Sequence, residues 1–243
     1  MEPIINIKGL YKSFGTNTVL KGVDLELNEG ENLVVMGKSG SGKSVLIKCI
    51  AGLEDYDAGS VQVMGNEIKM LNHYELNKIR ADIGFLFQGS ALYDSMSVRE
   101  NLEFPLRRHR EKYNKITDVD AVVMEALNNV GLAHAVDMMP DELSGGMKRR
   151  VALARALILQ PKIILYDEPT TGLDPQTAKE IVALILSVRE KYKTSSIIIT
   201  HDVSFVKMIA DRVILLIDGI NYAEGTFKQL EASDDKQIQA FFK

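Results

Sequence analysis

Leu33-Val34-Val35-Met36-Gly37-Lys38-Ser39-Gly40-Ser41-Gly42-Lys43-Ser44 is the stretch on which the fold turns. A short apolar run leads into a glycine-rich loop, and Val45–Ala51 then follows a helical pattern that Gly52 stops. That is the strand–loop–helix setting in which Gly-x-x-x-x-Gly-Lys-Ser cradles phosphate. Gly37, Gly40 and Gly42 let the backbone curl, so that N–H groups of Lys38, Ser39 and Ser41 turn inward. The helix behind them adds its positive N-terminal end. Lys43 supplies a point charge for β- and γ-phosphates, and the Ser44 hydroxyl is placed to ligate Mg²⁺. Val45 follows where a second hydroxyl would reach an α-phosphate, so only its backbone N–H serves there. Cys49, among Ile47, Ile50 and Leu53, reads as a small buried apolar residue.

Outward from this loop, apolar runs rich in branched residues alternate with helical patterns. The expected fold is therefore α/β with a mostly parallel sheet. Leu33–Met36, Ile83–Phe87, Ile163–Tyr166, Ser196–Thr200 and Val213–Ile217 are the buried strands expected. Ile4–Lys8, Val19–Leu27, Ser60–Met64 and Asn221–Gly225 alternate instead, and predict an antiparallel layer beside the parallel one. Between Ser97 and Leu159 no good strand occurs, while Val119–Val130 and Met147–Leu157 carry helical spacing. The chain thus reads as one domain, with 1–96 and 160–243 forming the core and 97–159 an inserted α-helical subdomain.

Composition limits what such a chain does. Its 29 basic and 33 acidic residues leave a formal charge of −4, which argues against direct nucleic-acid binding held mainly by charge. With 46% hydrophobic and 26% charged residues, a packed core is expected and wholesale disorder is excluded. Cys49 is the single cysteine, so no internal disulfide forms, and a reducing compartment is expected. No apolar run approaches the roughly 18 residues of a membrane span. The first residues, MEPIINIKGL, carry neither a basic nor an apolar leader segment. A soluble, intracellular protein is the expectation.

Three further strand ends carry chemistry. In open α/β sheets ligands bind at the carboxyl ends of the strands. Ile163–Tyr166 runs into Asp167 and Glu168 there. Asp167 suits a metal ligand, inner or outer, for a phosphate-bound Mg²⁺. Glu168 is then the free carboxylate able to polarise an attacking water. Ser196–Thr200 ends in His201, positioned for a γ-phosphate or the water. Gln88, after Phe87, is placed to sense metal and water. His73, His109 and His134 read as surface or core residues.

A second glycine-rich helix start lies inside the insertion. Leu143-Ser144-Gly145-Gly146-Met147 offers a hydroxyl and close backbone approach to an anion. Lys148, Arg149 and Arg150 crowd the first turns, against the helix dipole by some tenths of a kcal/mol each. They read either as a solvated basic face or as support for a docked anion. Two half-sites so far apart along the chain invite closure by a second copy.

Taken in order, the phosphate loop, Gln88, LSGGM, IILYDE, Thr171-Gly172-Leu173-Asp174 and His201 resemble ABC-type ATPase subunits from about Ile4 to Phe227. The resemblance implies an ABC ATPase fold, ATP as ligand and substrate with Mg²⁺, and ATP hydrolysis coupled to transport. It implies a head-to-tail homodimer, with ATP between the phosphate loop of one copy and Ser144–Gly146 of the other. It also makes Phe14, in Lys-Ser-Phe-Gly, the aromatic that stacks on adenine, with Tyr11 second. Met147 stands where most members have Gln. That residue, with the Phe87–Met96 and Met138–Arg150 stretches, resembles the ATPases of bacterial Mla/MCE-type lipid transporters. The partners so implied are an integral-membrane permease and an MCE-domain lipid-binding protein. The place implied is the cytoplasmic face of the inner membrane. Other permeases, for lipoprotein release or solute uptake, and non-transport members that gate a partner by dimerising, are the alternatives. DNA-repair relatives, which carry long coiled-coil insertions, are disfavoured, because no sustained heptads occur here. Gly89–Leu106 carries Leu92, Tyr93, Met96, Leu102 and Phe104, more apolar surface than a solvated loop warrants. Its Leu92–Met96 part is expected to receive a short permease helix.

Overall fold

Apolar runs buried on both faces need a packed layer on each side. A computed structural model, which describes residues 2–109 and 118–242, shows those layers. Strands β3 (Asn32–Met36), β6 (Ile83–Leu86), β7 (Ile163–Asp167), β8 (Ser195–Thr200), β9 (Arg212–Ile217) and β10 (Ile220–Gly225) form one sheet. Its order is β10-β9-β3-β8-β7-β6, parallel except for β10. Strands β1 (Ile5–Phe14), β2 (Asn17–Leu27), β4 (Ala58–Val63) and β5 (Asn66–Glu67) pair antiparallel in the order β2-β1-β4-β5.

Alternation along each parallel strand divides the core between two faces. Leu33, Val35, Leu165, Ile197 and Ile199 pack with Leu46, Ile47 and Ile50 of the Lys43–Ile50 helix and with the antiparallel layer. Val34, Met36, Ile164, Tyr166 and Ile198 pack on the other side against Ile181, Ile185 and Val188 of the Pro175–Tyr192 helix. Each such side chain taken fully from water is worth about 1.5–3 kcal/mol relative to exposure. Faces covered twice therefore carry near-continuous apolar runs.

Between β6 and β7 the helices Val98–Arg108, Val119–Asn129 and Gly145–Leu157 enclose their own core of Val98, Leu102, Val123, Leu127, Val151 and Ile158. Residues 110–117 of the expected insertion lie outside the described residues. Ser97 accepts from the Glu100 N–H and donates its own N–H to the Glu100 carboxylate, a capping box that starts the first of these helices.

One strand is placed differently from its sequence expectation. Asn221–Gly225 does not join the antiparallel layer; it lies antiparallel on β9, at the edge of the main sheet. Alternation marks a strand with one wetter face, and an edge strand meets that condition as well as a separate layer does. The two sheets are tied nearby. The Lys21 N–H donates to the Gly219 carbonyl at 2.8 Å, and the Arg212 guanidinium donates to the Glu26 carbonyl.

Candidate functional site

Register brings the chemistry together. Met36 lies beside Thr200, Asp167 beside Ile199, and Leu86 beside Tyr166. The residues next along the chain, Gly37, His201, Glu168 and the Phe87–Gln88 pair, therefore emerge at one edge of the sheet. A cleft of about 510 Å³ opens there, lined by Val19, Lys38–Gly40, Gly42–Val45, Gln88, Glu168 and His201.

The Lys43 ammonium donates to the carbonyls of Gly37 at 2.8 Å and Lys38 at 3.1 Å, which folds the loop around its own charge. Burial pulls this ammonium below its ordinary pKa, while Glu168 and Asp167 pull it back up. Gly37 stands where a Cβ would lie 2.5 Å from the Leu216 carbonyl and against Ser41 Oγ, so β9 itself demands the glycine. Ser44 donates its hydroxyl to Asp167 Oδ1 at 3.0 Å. Burial pushes the Asp167 carboxyl above the usual carboxylate range, and the Ser44 hydrogen bond draws it partly back.

Glu168 is held with unusual care. Its φ of 50° lies in the left-handed region, which ordinary side chains avoid. Its N–H donates to the Ile199 carbonyl at 2.9 Å, and its carbonyl accepts from the Thr171 N–H at 3.3 Å. On the carboxylate, Thr171 Oγ1 donates to Oε2 at 2.9 Å, and His201 Nδ1 lies 3.0 Å from both oxygens. Since an ionised carboxylate only accepts, Nδ1 carries the proton in that state and a neutral His201 ring keeps Nε2 as acceptor.

Other expected site residues lie apart from the cleft lining. Ser144 caps the Gly145–Leu157 helix, accepting from the Met147 N–H at 3.2 Å, and stays exposed with Gly145. Gly146 is packed inside its own chain, where a Cβ would sit 2.7 Å from the Thr177 methyl. Phe14 ends β1, 46% exposed, with the Lys12 ammonium 4.6 Å from its ring centroid. Tyr11 covers Gly22, whose added Cβ would meet its ring at 3.0–3.2 Å. Exposed His73 pairs with Asn77, and exposed His134 sits in a short 3₁₀ turn.

The basic run after Met147 is not a solvated face. Arg149 is 4% exposed and donates to the Phe87 carbonyl at 2.8 Å, while Arg150 reaches the Val130 carbonyl at 3.3 Å and pairs with Glu180. Helical spacing signals this: Arg149 shares a stripe with buried Ala152 and Leu153, three and four residues on. Thr171, which braces Glu168, shows no such spacing; only its place in the Thr171-Gly172-Leu173-Asp174 stretch marks it.

The family model described as ABC transporter matches residues 20–171. The methionine import ATP-binding protein MetN of Clostridium tetani is 43% identical over 218 residues, 89% of this chain and 67% of that protein. The intermembrane phospholipid transport ATP-binding protein MlaF of Haemophilus influenzae is 38% identical over 242 residues, 100% of this chain and 91% of that one. Among solved structures, the dimeric post-hydrolysis state of the ATP-binding cassette MJ0796 bound to ADP and Pi superposes with a TM-score of 0.80. Its identity is 33%, over 92% of this chain and 98% of that chain.

Proposed function

The chain belongs to the ABC transporter ATP-binding family and hydrolyses ATP, and from that premise we propose that it is the motor of a transporter moving phospholipid or another lipid across a bacterial envelope. The meeting of the phosphate loop, the Ser44–Asp167 pair and the braced Glu168 in one cleft supports the motor reading. The lipid reading rests on Met147 and its flanks and on the likeness to MlaF.

In this proposal the loop N–H groups and Lys43 hold the β- and γ-phosphates. Ser44, Asp167 and Gln88 would hold Mg²⁺. Their oxygen donors suit a hard cation, and the Ser44 hydroxyl and the buried Asp167 carboxylate already lie within hydrogen-bond distance of each other. Among the described residues no group of three His, Cys, Asp or Glu forms a cage, so phosphate oxygens would complete the shell. When bound, such an ion neutralises charge on the phosphates. Glu168 orients water and takes its proton as the water oxygen bonds to the γ-phosphorus and the bridging oxygen leaves. His201 and Thr171 fix the carboxylate for that task.

Glu168→Gln keeps the shape and removes the base. Turnover of the assembled complex should fall about 10²–10⁴-fold with ATP affinity retained. Wild-type turnover by that variant removes Glu168 from the role.

Two copies of the chain would close head to tail, each placing Ser144–Gly146 on the other's ATP. No helix among the described residues is long and apolar enough to cross a membrane, so transport needs a permease partner. The chain would then sit peripherally on the cytoplasmic face of the inner membrane. Tyr93 and Phe104, 43% and 37% exposed with ring centroids 4.9 Å apart, are the apolar pair offered to the permease. Tyr93→Arg should abolish pull-down of the permease and leave ATP affinity of the lone subunit unchanged.

The likeness to MetN favours one second reading, import of an amino acid. Purification with native partners separates the two. An MCE-domain protein beside the permease supports lipid transport, and ATPase activity stimulated by methionine supports import.

A further inference from the structure

Gln88 reaches the cleft from a segment whose hydrogen bonds lead to a different element. Strand β6 stops at Leu86, and the next carbonyl, of Phe87, accepts from Arg149 Nη1 at 2.8 Å. Beyond Gln88, Ser90 and Ala91 are successive non-glycine residues with φ of 63° and 48°. A left-handed pair of this kind persists only where its surroundings hold it. What holds it is Arg155. Nη2 donates to the Ser90 carbonyl at 3.0 Å and Nη1 to the Ala91 carbonyl at 2.8 Å. The same Nη1 reaches Asn101 Oδ1 at 3.3 Å, and the guanidinium lies 5.7 Å from the Tyr93 ring centroid. Asn101, fully buried, in turn accepts from the Tyr93 N–H and donates to the carbonyls of Tyr93, Met96 and Ser97.

We propose that Arg155, with Arg149, is a positioning residue for ATP hydrolysis, setting where Gln88 stands in the cleft by gripping the carbonyls on either side of it. Both arginines project from the Gly145–Leu157 helix, so Gln88 takes its place from the helix that Ser144 caps. A planar guanidinium with several fixed donors matches two successive carbonyls; an ammonium does not. Displacement of the helix at its Ser144 end is thereby delivered to residues 87–91.

The inference rests on the proposed part of Gln88 at the nucleotide, and the test keeps the two separable. Gln88→Ala, Arg155→Lys and the double variant are compared for ATP turnover in the assembled complex, and amide exchange at Ser90 is followed in the lone chain. The Ser90 N–H donates to the Phe87 carbonyl at 3.0 Å, so its exchange reports the turn. Arg155→Lys should lower kcat about tenfold, the loss of one charge-assisted hydrogen bond, with KM for ATP unchanged. It should also speed exchange at Ser90. In the Gln88→Ala background it should lower kcat no further. Losses that multiply in the double variant overturn the proposal, as does unchanged exchange at Ser90. If Gln88→Ala alone leaves kcat intact, the part given to Gln88 fails, and Ser90 exchange still decides the grip. Arg155→Gln, which keeps a single neutral NH2 group as donor, replaces Arg155→Lys if the latter does not fold.

Discussion

Two glycine-rich helix starts in this molecule have the same sequence logic and opposite surroundings. The phosphate loop is complete within one chain. Its lysine is folded onto loop carbonyls, its serine is bonded to Asp167, and Gly37 is demanded by the neighbouring strand β9. At Ser144–Gly146 the serine is spent on capping its own helix, the first glycine is exposed, and the second is pressed against Thr177. A helix N-terminus becomes a nucleotide site only when other elements wall it in. In one chain alone, the first has its walls and the second does not.

The sharpest way to break this contrast is to damage each start separately. Lys43→Ala should weaken ATP binding to the lone chain about 10- to 100-fold, the loss of one or two charge-assisted hydrogen bonds. Ser144→Arg should leave that affinity within about twofold, while turnover of the assembled complex falls about a hundredfold or more. Calorimetric titration and steady-state ATPase assays measure the pair. Equal loss of affinity in both variants would mean that the second start already touches nucleotide within one chain.

A smaller effect tests what Gly146 is for. Gly146→Ala should cost about 1–3 kcal/mol in denaturant unfolding through the clash with the Thr177 methyl. Thr177→Ser, which removes that methyl, should restore most of it. If stability is unchanged by Gly146→Ala, the glycine answers to a partner and not to its own chain.

Much of the fold was legible because the inner parallel strands are covered on both sides and carry apolar runs. Val34 and Met36 belong to one core, Leu33 and Val35 to the other, and all four are buried. The site's clustering was legible too, since strand ends in a parallel sheet share one edge. What resisted was partner choice. Alternation in Asn221–Gly225 says that one face is wetter, not which sheet the strand joins. Charge misled at Arg149, whose polar head satisfies a buried carbonyl while its stem lies on an apolar stripe. Arg155 is likewise visible only through the left-handed turn that it holds.

The smallest effect concerns the helix behind the phosphate loop. Burial pushes the Cys49 thiol up to about 11. A group whose neutral form is favoured by folding adds no pH dependence below its ordinary value of 9.0, and stability then falls as pH rises from there toward about 11. Alkylation at pH 8 should therefore be negligible in the native chain and complete in denaturant. Rapid native labelling would show that this helix opens, and that the phosphate loop is less firmly walled than the contrast with Ser144 requires.

The backbone bond from Lys21 to Gly219 joins the two sheets close to Val19, which walls the cleft. Wall and loop therefore travel as one body. ATP entering a single copy meets a surface already assembled, so the heat-capacity change of that first step reflects only the area covered by the nucleotide itself. In the proposed head-to-tail closure, the large thermal signature would belong to the later step, when the exposed rim at Ser144 meets the second copy.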